Sequence, residues 1–382
     1  MKKINSFYLL LIAVILTISS CSKEEDIVDG PNNPDIDSSS AVPEFFLSDK
    51  MNTPEFLQIA NSTQGISIPQ DLDFHPKRSN ELWVINKGTY NSGGTTVHIT
   101  NPGQVDQSSF KLKDGNAWHF MALPTSLDFG DNGNWASGTG ILDANRRGGK
   151  FAGPSLWSGE FDIYAKVGTP YKSGGPNGSH LDMVHQSPYA MGIAHAFDNA
   201  YWIFDGNNSN IILYDFGQPH VAGGSDHDDV ILKRYTDVQV EKELKLLPSH
   251  MVLDKNTGWL YIAETANSRI LRFNTKSGSK KGSMNPDPYE IVAEYSEYIN
   301  GETEVFIDKG ILSPVGIEIR EDRLFVSDYE NGDIIAYNLT DGSEIGRVQT
   351  NTKGICGINI SAEGQLFYVN MISNEVVQII AK

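Results

Sequence analysis

Cysteine and basic residues are both scarce in this chain. Only Cys21 and Cys356 occur among 382 residues, so at most one disulfide can form and a small disulfide-stapled fold is excluded. Lys and Arg number 30 against 48 Asp and Glu, which gives a net charge of −18. A phosphate backbone needs a basic face, so this balance argues against nucleic-acid partners. Stability must come from a hydrophobic core, for which roughly 340 residues after the N-terminal segment are enough.

Common catalytic signatures are missing as well. The chain has no G-x-S-x-G elbow, no P-loop and no H-E-x-x-H sequence. Serine-nucleophile, NTPase and zincin chemistries therefore have no support from motifs. Residues 66–382 also show no long amphipathic helical period, which favours a fold built from strands.

The first residues have the pattern of an export signal. Lys2 and Lys3 precede an apolar stretch from Phe7 to Leu16, whose length of about ten residues suits a signal peptide. A transmembrane helix would need about 20 such residues. Ser19 and Ser20 then lead to Cys21. This order resembles a bacterial lipoprotein signal, in which the peptide is cut before a cysteine that then carries lipid.

The segment after Cys21 is acidic and rich in Pro, Asn and Ser, so it cannot bury enough apolar surface to fold. Its start, SKEED, resembles the acidic tag of surface lipoproteins in the Bacteroidetes group. We predict a signal peptide at 1–20, a lipidated (palmitate-bearing) Cys21 with a disordered tether over 21–43, and a single domain over 44–382. The resemblance implies export and anchoring in the outer-membrane bilayer at the cell surface. The alternative is an ordinary cleaved signal with an incidental cysteine.

One pattern recurs six times in the remaining chain. Each copy has a short apolar run, a turn, a second run with an aromatic residue or Leu near its start, and then Asp, Glu or Asn. A second turn and a third run usually follow. These runs are β-branched or aromatic and are bounded by Gly, Asn and Asp, which are strand and hairpin signals. The copies begin at Pro69, Pro124, Ala190, Pro248, Pro314 and Ile355.

The spacing of the copies, 41 residues or more, is enough for a four-stranded sheet module. We therefore predict an all-β fold, a six-bladed β-propeller of four-stranded antiparallel blades with strands A to D running outward from the axis. Fourth strands are predicted at 109–113, 230–235, 290–295 and 344–349. The last copy lacks one, so an N-terminal strand such as EFFLS (44–48) is expected to close the ring and protect its edges. Two stacked β-sandwiches are the alternative.

Copies three to six carry a family resemblance, copy one carries it in its first half, and copy two fits poorly. LYIAETANSRILRF (260–273) and LFVSDYENGDIIAY (324–337) resemble NHL-type repeats, in which an aromatic-rich strand leads to Asp or Glu, an Asn-containing turn and then a further strand. The resemblance implies a propeller. It does not imply one function, because this architecture hosts scaffolds, hydrolases and lyases.

Six equivalent positions begin the innermost strands and should ring the axial channel on one face. Three of them are glycines, which predicts an open mouth beside blades three, five and six. Long loops on the same face are where binding usually occurs. The ring positions are Asp71, Ser126, Gly192, His250, Gly316 and Gly357.

Candidate ligand-binding residues are Asp71 of the ring, the aromatic residues Trp118 and Tyr329, and the pair Arg146–Arg147. Guanidinium groups can clamp a carboxylate or sulfate. Aromatic rings can stack on sugars, although they can equally pack the loops. The two arginines can also be a plain surface pair.

His119, His185 and His250 precede or open inner strands at consecutive blade junctions. Imidazoles that converge on one mouth would suit Zn²⁺ or another transition metal that activates water. The alternatives are hydrogen bonds to loop backbone and a metal-free acid–base role. A second group, PHVAGGSDHDD (219–229), is expected on the opposite face. Its oxygens could hold Ca²⁺, although the spacing does not match an EF-hand, or it could be a solvated acidic hairpin.

The Pro248-Ser249-His250 sequence is similar to the proline–histidine pair before a strand in the amidating lyase that cleaves peptidyl-α-hydroxyglycine. That family has a propeller with zinc-binding histidines on separate blades, but Gly316 and Gly357 stand where further ring histidines would be expected. The gluconolactonase-like propellers hold Ca²⁺ through Glu, Asn and Asp, and here Asp71 is the only acid in the ring. The leading interpretation is a surface lipoprotein whose propeller binds an extracellular glycan, small molecule or protein. Alternatives are a metal-dependent hydrolase or lyase with a histidine-bound metal at the channel mouth, and a scaffold in a surface complex.

Overall fold

The computed structural model of the protein describes residues 54–166 and 177–380. These residues form six sheets, each built on a four-stranded antiparallel blade and arranged around an axis, which confirms the predicted six-bladed β-propeller. Their inner strands follow one another around the ring in chain order. No helix within the described ranges is long and apolar enough to cross a membrane.

The described strands begin with β1 (Glu55–Ala60), which belongs to blade 6. A 3-10 turn at Ser62–Gln64 follows it. Blade 1 consists of β2 (Pro69–Phe74), β3 (Glu81–Thr89), β4 (Gly93–Thr100) and β5 (Ser108–Leu112). A short helix, α1 (Ala117–Phe120), links it to blade 2. Blade 2 consists of β6 (Pro124–Phe129), β7 (Asn134–Thr139), β8 (Ser155–Ser158) and β9 (Asp182–Met183).

Blades 3 and 4 are joined by an insertion. Blade 3 contains β10 (Ala190–Phe197), β11 (Ala200–Asp205), β12 (Asn210–Asp215) and β13 (Ile231–Gln239). Blade 4 contains β14 (Met251–Asp254), β15 (Trp259–Glu264), a 3-10 turn at Thr265–Asn267, and β16 (Arg269–Asn274). The hairpin of β17 (Ser279–Ser283) and β18 (Glu294–Ile299) then follows, and β19 (Thr303–Ile307) completes blade 4.

Blades 5 and 6 complete the ring. Blade 5 contains β20 (Pro314–Arg320), β21 (Arg323–Asp328), β22 (Asp333–Asn338) and β23 (Glu344–Gln349). Blade 6 contains β24 (Ile355–Ile360), β25 (Leu366–Asn370) and β26 (Glu375–Ile380). The expected outer strands at 109–113, 230–235 and 344–349 are present as β5, β13 and β23.

The prediction of an outer strand at 290–295 was wrong. In blade 4 that place is taken by β19, which pairs with β16. The segment containing 290–295 instead supplies β18, which pairs in parallel with β13 and extends the sheet of blade 3 to six strands. Without the insertion, β13 would be an edge strand with unpaired backbone N–H and C=O groups. The inserted hairpin pairs with that edge and covers it.

An N-terminal strand closes the ring, as predicted, but the strand is β1. It pairs antiparallel with β26, with Glu55 opposite Ile380 and Phe56 opposite Ile379. Ile59 and Ala60 are buried in the adjoining core. The EFFLS segment at 44–48, proposed for this role, lies outside the described residues.

The core lies between neighbouring blades, as a series of aromatic and aliphatic clusters. Between blades 1 and 2, the rings of Trp83 and Trp135 meet with centroids 5.7 Å apart, and both residues are fully buried. Between blades 3 and 4, Trp202 packs against Phe273 at 5.4 Å. Such burial, at about 25 cal/mol per Å² of apolar area, holds the blades in place without disulfides. Cys356 is a free, buried thiol.

The identity of the closing strand gives a direct test. A chain starting at residue 61 lacks β1 and leaves β26 as an exposed edge, so we expect it to unfold at least about 5 °C below a chain starting at residue 54, or to aggregate. A chain starting at residue 44 is the control and should match the chain starting at 54 in thermal unfolding. Equal stability of the chains starting at 54 and 61 would contradict closure by β1.

Candidate functional site

The inner strands enclose a pocket of about 330 Å³ on the axis, here named the axial pocket. Its walls run from the ring positions toward the A–B turns, so it opens on the face opposite the strand entries. Its charged and polar lining is Asp71, Asp73, Asp128, His195, His250, Lys255, Glu318 and Asn359.

Three of the pocket carboxylates bind the backbone of the next blade. Each accepts a hydrogen bond from an N–H group of the neighbouring inner strand: Asp71 from Leu127 at 3.1 Å, Asp73 from Phe129 at 2.9 Å, and Asp128 from His195 at 2.5 Å. The Asn359 amide donates to Asp73 Oδ1 at 3.0 Å and to Glu318 Oε2 at 3.1 Å. The contacts of Asp71, Asp73 and Asp128 satisfy backbone N–H groups that no strand of the same sheet can reach.

The acids of the axial pocket resist ionisation. Asp73, Asp128 and Glu318 border the pocket solvent but lie deep among the strands, and Asp71 is almost fully buried. Burial raises the pKa of all four, to about 7 for Asp128 and about 8 for Glu318. Neighbouring carboxylates raise the pKa of Asp71 and Asp73 further, because like charges oppose each other.

His250 lies in the axial pocket, beside Asp71. Its Nε2 donates to the carbonyl of Thr125 at 3.0 Å, and its Nδ1 lies 3.4 Å from Asp71 Oδ1. Burial lowers the pKa of His250 to about 4, so its imidazole is neutral. For His250 the sequence left two main roles open, metal binding and a hydrogen bond to backbone, and the structure shows the hydrogen bond.

The ring glycines do not open the channel, contrary to expectation. A Cβ at Gly192 would lie 2.0 Å from the carbonyl oxygen of Ser249, and one at Gly316 would lie 2.2 Å from that of Cys356. A Cβ at Gly357 would lie 2.3 Å from Asp71 Oδ1. Glycine at these positions lets adjacent inner strands approach closely, so its role here is close packing between blades.

A second and larger cavity, of about 720 Å³, lies at blade 2 and is here named the lateral cavity. Five separate segments line it: the blade 1–2 link, the B–C insertion of blade 2, the chain at and before β9, the C–D loop of blade 3 and the tip of the blade 4 insertion. Its principal side chains are Asn116, Trp118, His119, Asn145, Arg147, Phe151, His227, Tyr289 and Glu290.

Two of the predicted ligand-binding residues, Trp118 and Arg147, line this cavity together. Arg146 has a different position: its guanidinium lies between the rings of Tyr90 and Trp118, 4.7 and 4.9 Å from their centroids. It also donates to the Trp118 carbonyl at 3.2 Å. Arg146 therefore positions Trp118, whereas Arg147 lines the cavity.

The turn that carries the two arginines is held by Asp143. Its carboxylate accepts hydrogen bonds from the backbone N–H groups of Asn145 at 2.9 Å, Arg147 at 2.7 Å and Gly149 at 2.9 Å. This part of the cavity wall is thus built before any ligand binds.

The structure brings together two of the three candidate histidines. His119 and His185 have ring centroids 5.1 Å apart, and His185 stacks on Phe151 at 3.9 Å. His185 Nδ1 lies 2.6 Å from Glu290 Oε1, and both residues are buried. Burial disfavours the charged form of Glu290, but His185 and its other donors outweigh this and lower its pKa. His250 does not join them, because it lines the axial pocket.

The remaining predicted residues lie elsewhere. Tyr329 lines neither cavity and packs half-buried against blade 6, with the Lys353 ammonium 5.7 Å from its ring centroid. Cys21 lies outside the described residues. The 219–229 loop is not confined to the opposite face, since His227 lines the lateral cavity with Trp118. The reason is that β9 is only two residues long, so the loop packs along 177–181 through bonds such as His220 N–H to the Leu181 carbonyl.

Sequence reasoning missed most of the axial acids, although a signal was present. Residues two positions after the ring share its side of the strand, because side chains alternate with period two. Four of these six positions carry Asp73, Asp128, Glu318 and Asn359. Glu290 and Tyr289 carried no such signal, because the insertion that bears them packs against another blade.

The fold defines the class of this protein as a six-bladed β-propeller. No protein-family profile and no curated sequence matches the chain. Solved structures do match its fold. An auxiliary nutrient binding protein from Bacteroides ovatus aligns with a TM-score of 0.54 and 10% identity, over 87% of this chain and 78% of that one. A luciferin-regenerating enzyme aligns with a TM-score of 0.51 and 9% identity, over 86% and 97%. The NHL resemblance stays a prediction.

The raised pKa of Glu318 predicts a pH-dependent stability. A carboxyl whose pKa is about 8 when folded, against an ordinary 4.5, contributes stability that is complete below about pH 4.5 and is lost as pH rises through 8. We expect Glu318→Gln to flatten the decline in Tm between pH 5 and 9 and to raise Tm at pH 8.5 by roughly 2–5 °C. The exposed Glu363→Gln is the matched control and should follow the wild type. If Tm fell with the same slope between pH 5 and 9 in the wild type, Glu318→Gln and Glu363→Gln, the raised pKa of Glu318 would be refuted.

Proposed function

We propose that this protein is a cell-surface lipoprotein whose lateral cavity binds a carbohydrate. The observation that carries the proposal is the composition of that cavity. Exposed aromatic rings, Trp118 at 39% and Tyr289 at 85% exposure, stand beside amide, guanidinium and carboxylate groups of Asn116, Arg147 and Glu290. Aromatic faces pack against the apolar face of a sugar ring, and the polar groups bind its hydroxyls.

Preorganisation supports this cavity as a binding site. Arg146 is held against Trp118, Asp143 holds the turn before Arg147, and His185 and Gln186 hold Glu290. A wall fixed in this way loses little side-chain entropy when a ligand binds. The auxiliary nutrient binding protein shares the fold at 10% identity, and a ligand-binding role for the present protein is consistent with that likeness.

Trp118 should be the main contact for a sugar. A glycan array first identifies an oligosaccharide that the wild type binds. We expect Trp118→Ala to weaken binding of that oligosaccharide by about 10-fold or more, because truncating an aromatic side chain that a ligand covers typically costs about 2 kcal/mol. Titration calorimetry with that oligosaccharide measures the loss. Phe197→Ala is the control and should bind like the wild type, because Phe197 is an exposed aromatic residue at the end of β10 and does not line the cavity. An array with no bound glycan, or equal affinity in Trp118→Ala, would refute the proposal.

The anchor is tested separately at Cys21. We expect the wild-type protein to sediment with the membrane fraction and to incorporate labelled palmitate, because an acyl chain buries its methylenes in the bilayer. Cys21→Ala should appear in the soluble fraction without label. Protease treatment of intact cells should degrade the wild-type protein if it faces outward. Unchanged fractionation of Cys21→Ala would contradict the lipoprotein assignment, whatever the cavity binds.

A second candidate function uses the axial pocket. Four carboxylates, the Asn359 amide and a neutral His250 line one pocket, and such a set can hold a cation that polarises a substrate. This would make the protein a metal-dependent hydrolase or lyase. Groups with displaced pKa in a cleft are typical of catalytic sites, although here most of the carboxylates also bind backbone. A metal titration of His250→Gln, in which the wild-type protein binds Zn²⁺ and the variant does not, would support this candidate.

A further inference from the structure

Three metal-binding side chains converge at the outer edge between blades 2 and 3. Asp182 lies on β9, and His220 and His227 lie on the C–D loop of blade 3. One ligand atom from each lies within 4.8 Å of the other two, and no other such group of three or more occurs in residues 54–166 and 177–380. We call these three residues the rim cluster. We propose that the rim cluster binds a Zn²⁺-class transition-metal ion.

Unpartnered polar atoms support a ligand at this place. Asp182 Oδ2 and His220 Nε2 are buried and accept or donate no hydrogen bond. Asp182 is 0% exposed. Buried polar atoms almost always have partners, because an unpartnered group costs its full desolvation energy. A cation between these two atoms would supply the missing interaction for both.

The tautomer of His220 suits metal binding. Its Nδ1 lies 2.8 Å from the carbonyl oxygen of Val221, so Nδ1 carries the proton and donates it. Nε2 is then left with a free lone pair, and it is the atom without a partner. A backbone carbonyl that fixes the ring and tautomer in this way is the usual support of a metal-bound histidine.

A fourth imidazole lies beside the cluster. The ring of His180 packs against that of His220 with centroids 5.3 Å apart. His180 Nε2 donates to the Gly224 carbonyl at 3.1 Å, and its buried Nδ1 has no partner. His180 is 0% exposed. Its lone pair is therefore available either to the ion or to a water molecule on the ion.

His227 Nδ1 donates a hydrogen bond to Asp182 Oδ1, at a distance of 2.7 Å. An ion that takes Asp182 and His227 as ligands releases the proton of this bond to solvent, as metal binding to a protonated site requires. Ligand bonds of about 2.0–2.1 Å need only small side-chain movements from the present spacing.

The donor set selects the class of ion. Two imidazoles and one carboxylate suit Zn²⁺ and its first-row neighbours, whereas Ca²⁺ prefers six to eight oxygens. The other acids of the loop, Asp226, Asp228 and Asp229, are exposed and lie outside the cluster. The ion would tie the blade 3 loop to the short strand β9. The ion would also border the lateral cavity, because His227 belongs to the rim cluster and lines that cavity as well.

The test is a metal titration of the full-length protein, purified in detergent without a histidine tag and stripped with EDTA. We expect Zn²⁺ alone to bind with one equivalent by calorimetry, to raise Tm, and to be replaceable by Co²⁺ with visible absorption bands. His220→Gln and His227→Gln should each weaken Zn²⁺ binding by at least about 100-fold, more than loss of a supporting contact usually does. His119→Gln and His250→Gln are the matched controls and should bind like the wild type.

Folding of the variants is verified by circular dichroism and by Tm without metal. His220 hydrogen-bonds through its ring only within its own loop, so His220→Gln should fold, and Asp182→Asn provides a second variant. Absence of Zn²⁺ binding below about 100 µM in the wild type, or unchanged binding in His220→Gln and His227→Gln, would overturn the proposal. Loss in His250→Gln alone would also overturn it and would place the metal in the axial pocket. None of these outcomes depends on whether the lateral cavity binds a sugar.

Discussion

The ring depends on hydrogen bonds between inner strands that belong to different sheets. An innermost strand has one edge without a sheet partner, so its N–H groups need other acceptors. Asp71, Asp73 and Asp128 supply them by reaching across to the next blade. Close approach at Gly192, Gly316 and Gly357 supplies direct contacts elsewhere in the ring. The axis is therefore lined by acids because the fold uses them, and this is a structural role that needs no ligand.

That construction has an electrostatic consequence. Burial raises the pKa of all four acids around this narrow pocket, and repulsion between neighbouring carboxylates adds to the effect. Lys255 at the pocket mouth is engaged by Asp131 and His195, so it offsets the repulsion only in part. The axial pocket is thus shaped first by stability. The side chains of the lateral cavity lie outside the inner ring, and two of its aromatic residues, Trp118 and Tyr289, remain exposed.

The sequence repeat made the propeller fold predictable. The lateral cavity and the β18–β13 pairing were not predictable, because they involve segments that depart from the repeat. Period-two patterning and the spacing of the copies located the inner strands and most of the outer ones. The same period, carried two residues past the ring positions, would have located Asp73, Asp128, Glu318 and Asn359, but these residues were not predicted as site residues. Pairing between β18 and β13 could not be foreseen, because parallel pairing across blades leaves no local pattern. For the same reason His227 and Glu290, which are 63 residues apart in sequence number, gave no sign of sharing a cavity.

Blade 2 explains why the lateral cavity and the rim cluster occur where they do. Its outer strands, β8 and β9, have only four and two residues, so they cannot cover the side of the blade. Loops from blades 1, 3 and 4 cover it instead, and loops pack less completely than strands. Buried imidazoles and carboxylates at such a junction are costly unless they bind something. In the axial pocket, Asp71, Asp73 and Asp128 have backbone N–H groups as partners. At the rim, Asp182, His220 and His180 retain unpartnered atoms that lie close together, and this difference is why we propose a metal ion there and not in the axial pocket.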